Sequence, residues 1–167
     1  MTLAEAGAEA DELAQAGDQR KLADLRAQWG DEIEASARSS DYRERAVAYR
    51  AIGQFRFRQK LELLRRGLED ESPACRGSAL ISLELLSRDA PGDVNAVRSL
   101  LHRMANGDDN QAVRRLAVVC LRNGSPHRDT IALLTGLADD DRQEQALRDA
   151  AGKVAVTLRR KGAQRHA

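Results

Sequence analysis

The chain has 167 residues, of which 42% are hydrophobic and 32% charged, enough to bury a core and too apolar for a disordered sequence. Only 3% are aromatic and three are proline, and β-branched residues are sparse, so the composition favours helix and excludes an all-β design. The net charge of +1 hides segregated blocks, with ten acidic against four basic side chains in residues 1–41 and eight basic against two acidic in residues 42–66.

Residues 1–17 open the chain as a helical or partly disordered extension, in which LAEAGAEADELAQ is helix-prone but weakly apolar. Residues 18–38 predict a helix, because Leu22, Leu25, Trp29 and Ile33 recur at spacings of three, four and four. Trp29 sits in that stripe and reads as a core anchor or end cap. Residues 41–54 form its partner helix.

The stretch from Arg43 to Arg66 is the most basic in the chain. Arg45, Arg50, Arg56, Arg58, Lys60, Arg65 and Arg66 interleave with Tyr49, Phe55 and Phe57. Cations alternating with aromatics can hold phosphates and stack bases. Equally, the arginines can coat a solvated face while the aromatics enter the core, or the acidic N-terminal segment can pack on them in this chain or in a second copy.

Four segments then align as an internal repeat: YRERAVAYR from Tyr42, CRGSALISL from Cys75, VRRLAVVCL from Val113 and LRDAAGKVA from Leu147. Each places an arginine after its first residue, at Arg43, Arg76, Arg114 and Arg148, and an alanine three residues later. The steps between these arginines are 33, 38 and 34 residues, the length of a two-helix unit. An amphipathic segment precedes each of the last three: Leu64 and Leu68, Leu101 and Met104, Leu134 and Leu137. The turns between carry Ser72-Pro73, Asn106-Gly107-Asp108-Asp109 and Asp139-Asp140-Asp141, all helix-start signals. Residues 87–93 read as a loop, and residues 162–167 as a flexible tail. The expected core includes Leu61, Leu64, Leu68, Ala79, Leu83, Leu86, Val97, Leu101, Val113, Ala117, Leu121, Ile131, Leu134, Leu137, Leu147, Ala151 and Val154.

Leu64, Leu68, Asp70, Pro73, Cys75, Arg76, Ala79 and Leu83 together resemble the HEAT repeat, especially the short bacterial kind of phycobilisome-lyase-like HEAT proteins. The likeness covers about residues 41–156. It implies an all-α fold, a right-handed α-solenoid of about four helix–turn–helix repeats of armadillo type, as one domain over residues 18–161. It also implies a structural ladder of turn aspartates and helix arginines, using Asp70, Arg76, Asp108, Arg114, Asp139 and Arg148. Stacked repeats of this kind bury a shared core and present an extended surface.

No catalytic constellation is legible. His102, His127 and His166 lack neighbours at ligand spacing, and Cys75 and Cys120 read as small core residues. No cofactor or metal is expected. No stretch approaches the ~18 apolar residues of a membrane span, and the acidic start lacks the features of a secretory signal, so a cytoplasmic protein is expected. The function expected is a non-enzymatic adaptor that binds a protein partner, with nucleic acid as the alternative and homo-oligomerisation through the acidic segment as a further option. Beyond the basic stretch, the second helices offer Ile81, Glu84, Arg88, Arg115, Val118 and Arg122 as candidate surface residues.

Overall fold

The computed structural model describes residues 1–165, all helix and connecting turn. Helices α1 (Leu3–Ala16), α2 (Gln19–Ala37), α3 (Tyr42–Gln54), α4 (Leu61–Leu68) and α5 (Pro73–Ser87) are followed by α6 (Pro91–Asn95), α7 (Arg98–Gly107), α8 (Gln111–Leu121), α9 (Arg128–Asp139) and α10 (Gln145–Arg165). The chain divides into two compact units, Met1–Leu86 and Ser87–Ala167, where the sequence suggests one domain from 18 to 161.

In the first unit α2 pairs with α3, and α1 packs on both. Residues 3–16 of the N-terminal stretch thus form a helix packed on α2 and α3. Thr2 and Glu5 form a reciprocal capping box at its start, and Gly17, at φ 76°, ends it in the left-handed conformation that glycine adopts without strain. Leu3, Ala6 and Ala10 are its buried stripe. Asp18 and Asp41 cap α2 and α3 through their side chains. Leu22 and Ile33 are fully buried, while Trp29 is half-buried. Leu63, Leu64 and Leu68 of α4 and Cys75, Ala79, Leu80 and Leu83 of α5 complete this core.

Two glycines set how closely these helices approach. A Cβ at Gly53 would lie 2.7 Å from the Ser82 Cα, and one at Gly67 would lie 2.9 Å from the Tyr49 ring. At Gly53 the close approach lets a side chain of α5 bond to the backbone of α3. The Ser82 hydroxyl accepts from the Gly53 N–H (3.0 Å) and donates to the Tyr49 carbonyl (2.6 Å).

In the second unit α7 pairs with α8 and α9 with α10, and α8 lies against α10. Leu101, Met104, Val113, Ala117, Leu134, Leu147, Ala151 and Leu158 fill its interior. The segment 87–93 is only partly a loop: α6 starts at Pro91 and buries Val94. At the other end, α10 runs on through residues 162–165, which the sequence assigned to a tail; residues 166–167, with His166, lie outside the described residues. Of the expected core, Leu61, Val97 and Ile131 are only half-buried, each near the start of its helix or just before it.

The structure shifts the repeat by two residues in its first unit. Arg76, Arg114 and Arg148 donate their backbone N–H to Ser72, Asn110 and Glu144, four residues back, and Arg45 does the same to Asp41. Arg45, and not Arg43, is thus the equivalent position. Its alanine is Ala48, which with Ala79, Ala117 and Ala151 is fully buried. The residue before the arginine is apolar in the other three repeats and is the exposed Glu44 here, which hides the alignment.

Candidate functional site

The four equivalent arginines share one job. Arg45 donates to the Ser39 and Ser40 carbonyls (3.0 and 3.2 Å), and Arg76 to those of Asp70 and Glu71 (3.0 and 3.1 Å). Arg114 donates to Ala105 and Asn106 (2.9 and 3.2 Å), and Arg148 to Ala138 (3.2 Å). These oxygens lie at or just past the C-terminal end of the preceding helix, where carbonyls have no helical partner and the dipole favours a cation. Between neighbouring repeats it is Arg45, offered by the sequence as a surface residue and not as part of the ladder, that pairs with Asp70, in a largely buried bidentate contact at 2.9 and 3.0 Å. Burial pushes the Asp70 carboxyl up, but Arg45 and the Ser72 N–H outweigh it and hold the acid below its ordinary value. In the last turn Asp141 meets Arg148 (3.2 Å), and Asp139 stands exposed. Asp108 accepts from the Asn110 N–H (2.9 Å).

The basic stretch is largely spoken for inside the first unit. Arg56 pairs with Asp11 of α1 at 2.7 Å and also donates to the Gly53 and Gln54 carbonyls. Lys60 pairs with Glu34 of α2 at 2.8 Å and lies over the Phe57 ring, 4.8 Å from its centroid. The Lys60 hydrogen bond holds the Glu34 carboxyl below its ordinary value, against a smaller opposing effect of burial. Arg58 donates to the Leu86 carbonyl (3.1 Å). Phe55 is fully buried and Tyr49 nearly so, which leaves neither ring face for a stacked base. Arg65 and Arg66 project from α4 into solvent.

Arg26, which the sequence analysis did not single out, clamps the end of α3. It donates to the Phe55 carbonyl (2.7 Å) and the Arg56 carbonyl (3.1 Å), where Arg56 turns the chain at φ 51°. Burial, and then the charge of Arg56, pull its pKa down.

Two adjoining hollows lie along the exposed side of α3 and share Ala4 and Val47. One, of about 280 Å³, is lined by Ala4, Ala46, Val47, Arg50, Gln54 and Ser78. The other, of about 450 Å³, continues toward Thr2, Glu32, Ser36, Arg43 and Glu44. Among the expected site residues, only Arg50 lines this groove. Its Nη1 is buried and has no hydrogen-bond partner among the described residues.

The second unit has its own cleft of about 570 Å³, with Arg88, Pro91, Ser125, Pro126, Lys161 and Arg165 on its walls. The Lys161 ammonium donates to the Arg122 carbonyl at the end of α8; burial, and then the charge of Arg122, lower its pKa. Arg88 and Arg122 are exposed, Glu84 and Arg115 half-buried, and Arg115 meets Glu144 at 3.5 Å. Val118 is fully buried and belongs to the core of its unit, not to a surface. Cys75 and Cys120 are buried thiols. Among the described residues, no group of three or more His, Cys, Asp or Glu side chains is placed to hold a metal ion. No helix among them is long and apolar enough to cross a membrane.

No curated protein matches the chain. Residues 31–109, which run from α2 through α7, match the family model of HEAT repeats. Residues 31–109 thus carry HEAT repeats, and the arginine that recurs at one position in all four second helices continues the same pattern beyond them.

Proposed function

We propose that the chain is a non-enzymatic protein-interaction module, and that it binds a polypeptide partner along the groove between α1 and α3. The observation that carries this is the character of the groove. Its floor is the apolar Ala4, Ala46 and Val47, and its edges are charged, with Glu32, Arg43, Glu44 and Arg50. An apolar centre inside a polar rim is the usual anatomy of a protein interface. The alternative, nucleic-acid binding by the basic stretch, has less support. Arg56 and Lys60 are neutralised by Asp11 and Glu34, and Phe55 and Tyr49 are buried.

The reading is tested by placing a photo-crosslinking amino acid at Val47, with Val156 on the exposed side of α10 as the control position. A discrete protein adduct in the native cell is expected at Val47 and not at Val156. Adducts with nucleic acid, or none at either position, would overturn it.

A further inference from the structure

The geometry points to a specific feature of the partner: a carboxylate, from an Asp or Glu side chain or a free C-terminus, that seats on the Arg50 guanidinium. This inference rests on the interaction-module reading above.

The smaller hollow contains one ionic group, Arg50, and no carboxylate lines it. A guanidinium cannot shed its charge at physiological pH, so burying one of its nitrogens without an acceptor is costly. Elsewhere in this chain the buried or half-buried guanidinium groups of Arg26, Arg45, Arg56, Arg114 and Arg148 all reach carbonyls or carboxylates. Arg50 Nη1 reaches none among the described residues. Gln54, one turn on, supplies an amide, and Ser78 of α5 a hydroxyl, on the same wall. A carboxylate is the group that matches this set: it accepts a charge-assisted, paired bond from the guanidinium and leaves lone pairs for the hydroxyl and the amide N–H. Beside it, Ala4, Ala46 and Val47 leave room for a small apolar side chain. Farther along the groove, Glu32 and Glu44 accompany Arg43, so the positive character is confined to the Arg50 end.

Ala46 offers an independent probe. It stands four residues before Arg50 on the same face of α3, the spacing at which a glutamate pairs with a following arginine. Ala46→Glu therefore supplies the missing carboxylate from within and fills the hollow, without touching the core.

The experiment screens the full chain against short random peptides, each made with a free and with an amidated C-terminus. Bound peptides are expected to share a carboxylate at a fixed position. Its replacement by the amide is expected to weaken binding about tenfold or more, the usual consequence of losing a bond to a charged group. Arg50→Gln is expected to cause the same loss and to abolish the preference for carboxylate over amide. Ala46→Glu is expected to block binding while keeping or slightly raising the melting temperature. Arg65→Gln with Arg66→Gln on α4 leaves binding unchanged. Peptides selected without a carboxylate, equal affinity for wild type and Arg50→Gln, or no peptide bound at millimolar concentration would each overturn the inference. A Val47 crosslink that survives Arg50→Gln undiminished removes the carboxylate pocket and keeps the interaction module. Loss of the crosslink in wild type removes both.

Discussion

The Ser82 hydroxyl stands between the Gly53 N–H and the Tyr49 carbonyl, two groups that an α-helix would pair with each other. The contact welds α5 to the last turn of α3 and requires that residue 53 have no side chain. Gly53→Ala should destabilise the protein by about 2–3 kcal/mol, because the methyl meets the Ser82 backbone and the helices must separate. Ser82→Ala should cost only about 1 kcal/mol, since the freed groups can pair within the helix. The double variant should not recover the loss, because the Ser82 Cα would still lie 2.7 Å from the new methyl. Denaturant unfolding of the three variants checks the order.

Arg114 is the most secluded of the repeat arginines, at 7% exposure, and holds two carbonyls at the end of α7. Arg114→Ala leaves those oxygens without a donor and removes the packing of the stem, and should cost about 2–3 kcal/mol. Arg114→Lys should recover only part of this, because an ammonium lacks the fork that spans two adjacent carbonyls. Loss of hydrogen-exchange protection is expected first at the α7–α8 turn.

Acid should weaken the chain in two stages. His102 is half-buried, bonded to the Thr130 hydroxyl at 2.8 Å, and faces Arg98, His127 and Asp129. Burial, then Arg98 and His127, push its pKa below the ordinary 6.5. The unfolded chain therefore takes the proton first, and stability begins to fall as the pH drops below about 6.5. Asp70 has a lowered folded pKa, so its contribution is complete above the ordinary 3.8 and is lost as the pH falls through the lower value. Unfolding free energy measured from pH 8 to 3 should show both steps. His102→Gln should remove the first, and Asp70→Asn should shrink the second, to which the lowered Glu34 and Asp140 carboxyls also contribute.

The acidic face of α1 and α2 masks cations of the basic stretch. Asp11→Asn with Glu34→Gln uncovers Arg56 and Lys60 while leaving the apolar contacts of both helices intact. The double variant should bind a single-stranded oligonucleotide at low salt at least several-fold more tightly than wild type, with a steeper salt dependence. Fluorescence anisotropy across a salt series measures it. Equal binding by both proteins would show that the masking has no effect.

The helix pairs and their turns were legible because apolar spacing and capping residues are local signals. Ser72-Pro73 marks a helix start whatever lies around it, whereas α8 is capped by Asn110, one residue past the Asn106–Asp109 turn read from the sequence. The alignment of the first repeat was not legible, because Glu44 breaks the apolar-arginine pair that guides the eye and Tyr42-Arg43 imitates it. Arg26, Gly53 and Ser82 carry no local signature at all. Their roles arise only where one helix meets the end or the side of another, nearly thirty residues away. The candidate groove was half legible: Arg50 stood out as one cation among many. Which of those cations lacks a partner depends on where Asp11 and Glu34 land.

The repeat arginines hold oxygens of the main chain. Such a grip does not read the side chains of the turn it closes, and the four turns here accordingly share little: Ser39-Ser40, Asp70-Glu71, Ala105-Asn106 and Ala138. Apart from Arg45, which also holds the Asp70 carboxylate of the next turn, each helix pair is latched by its own parts. A lineage built from such parts can reword a turn beyond that first junction without renegotiating the latch of any other pair.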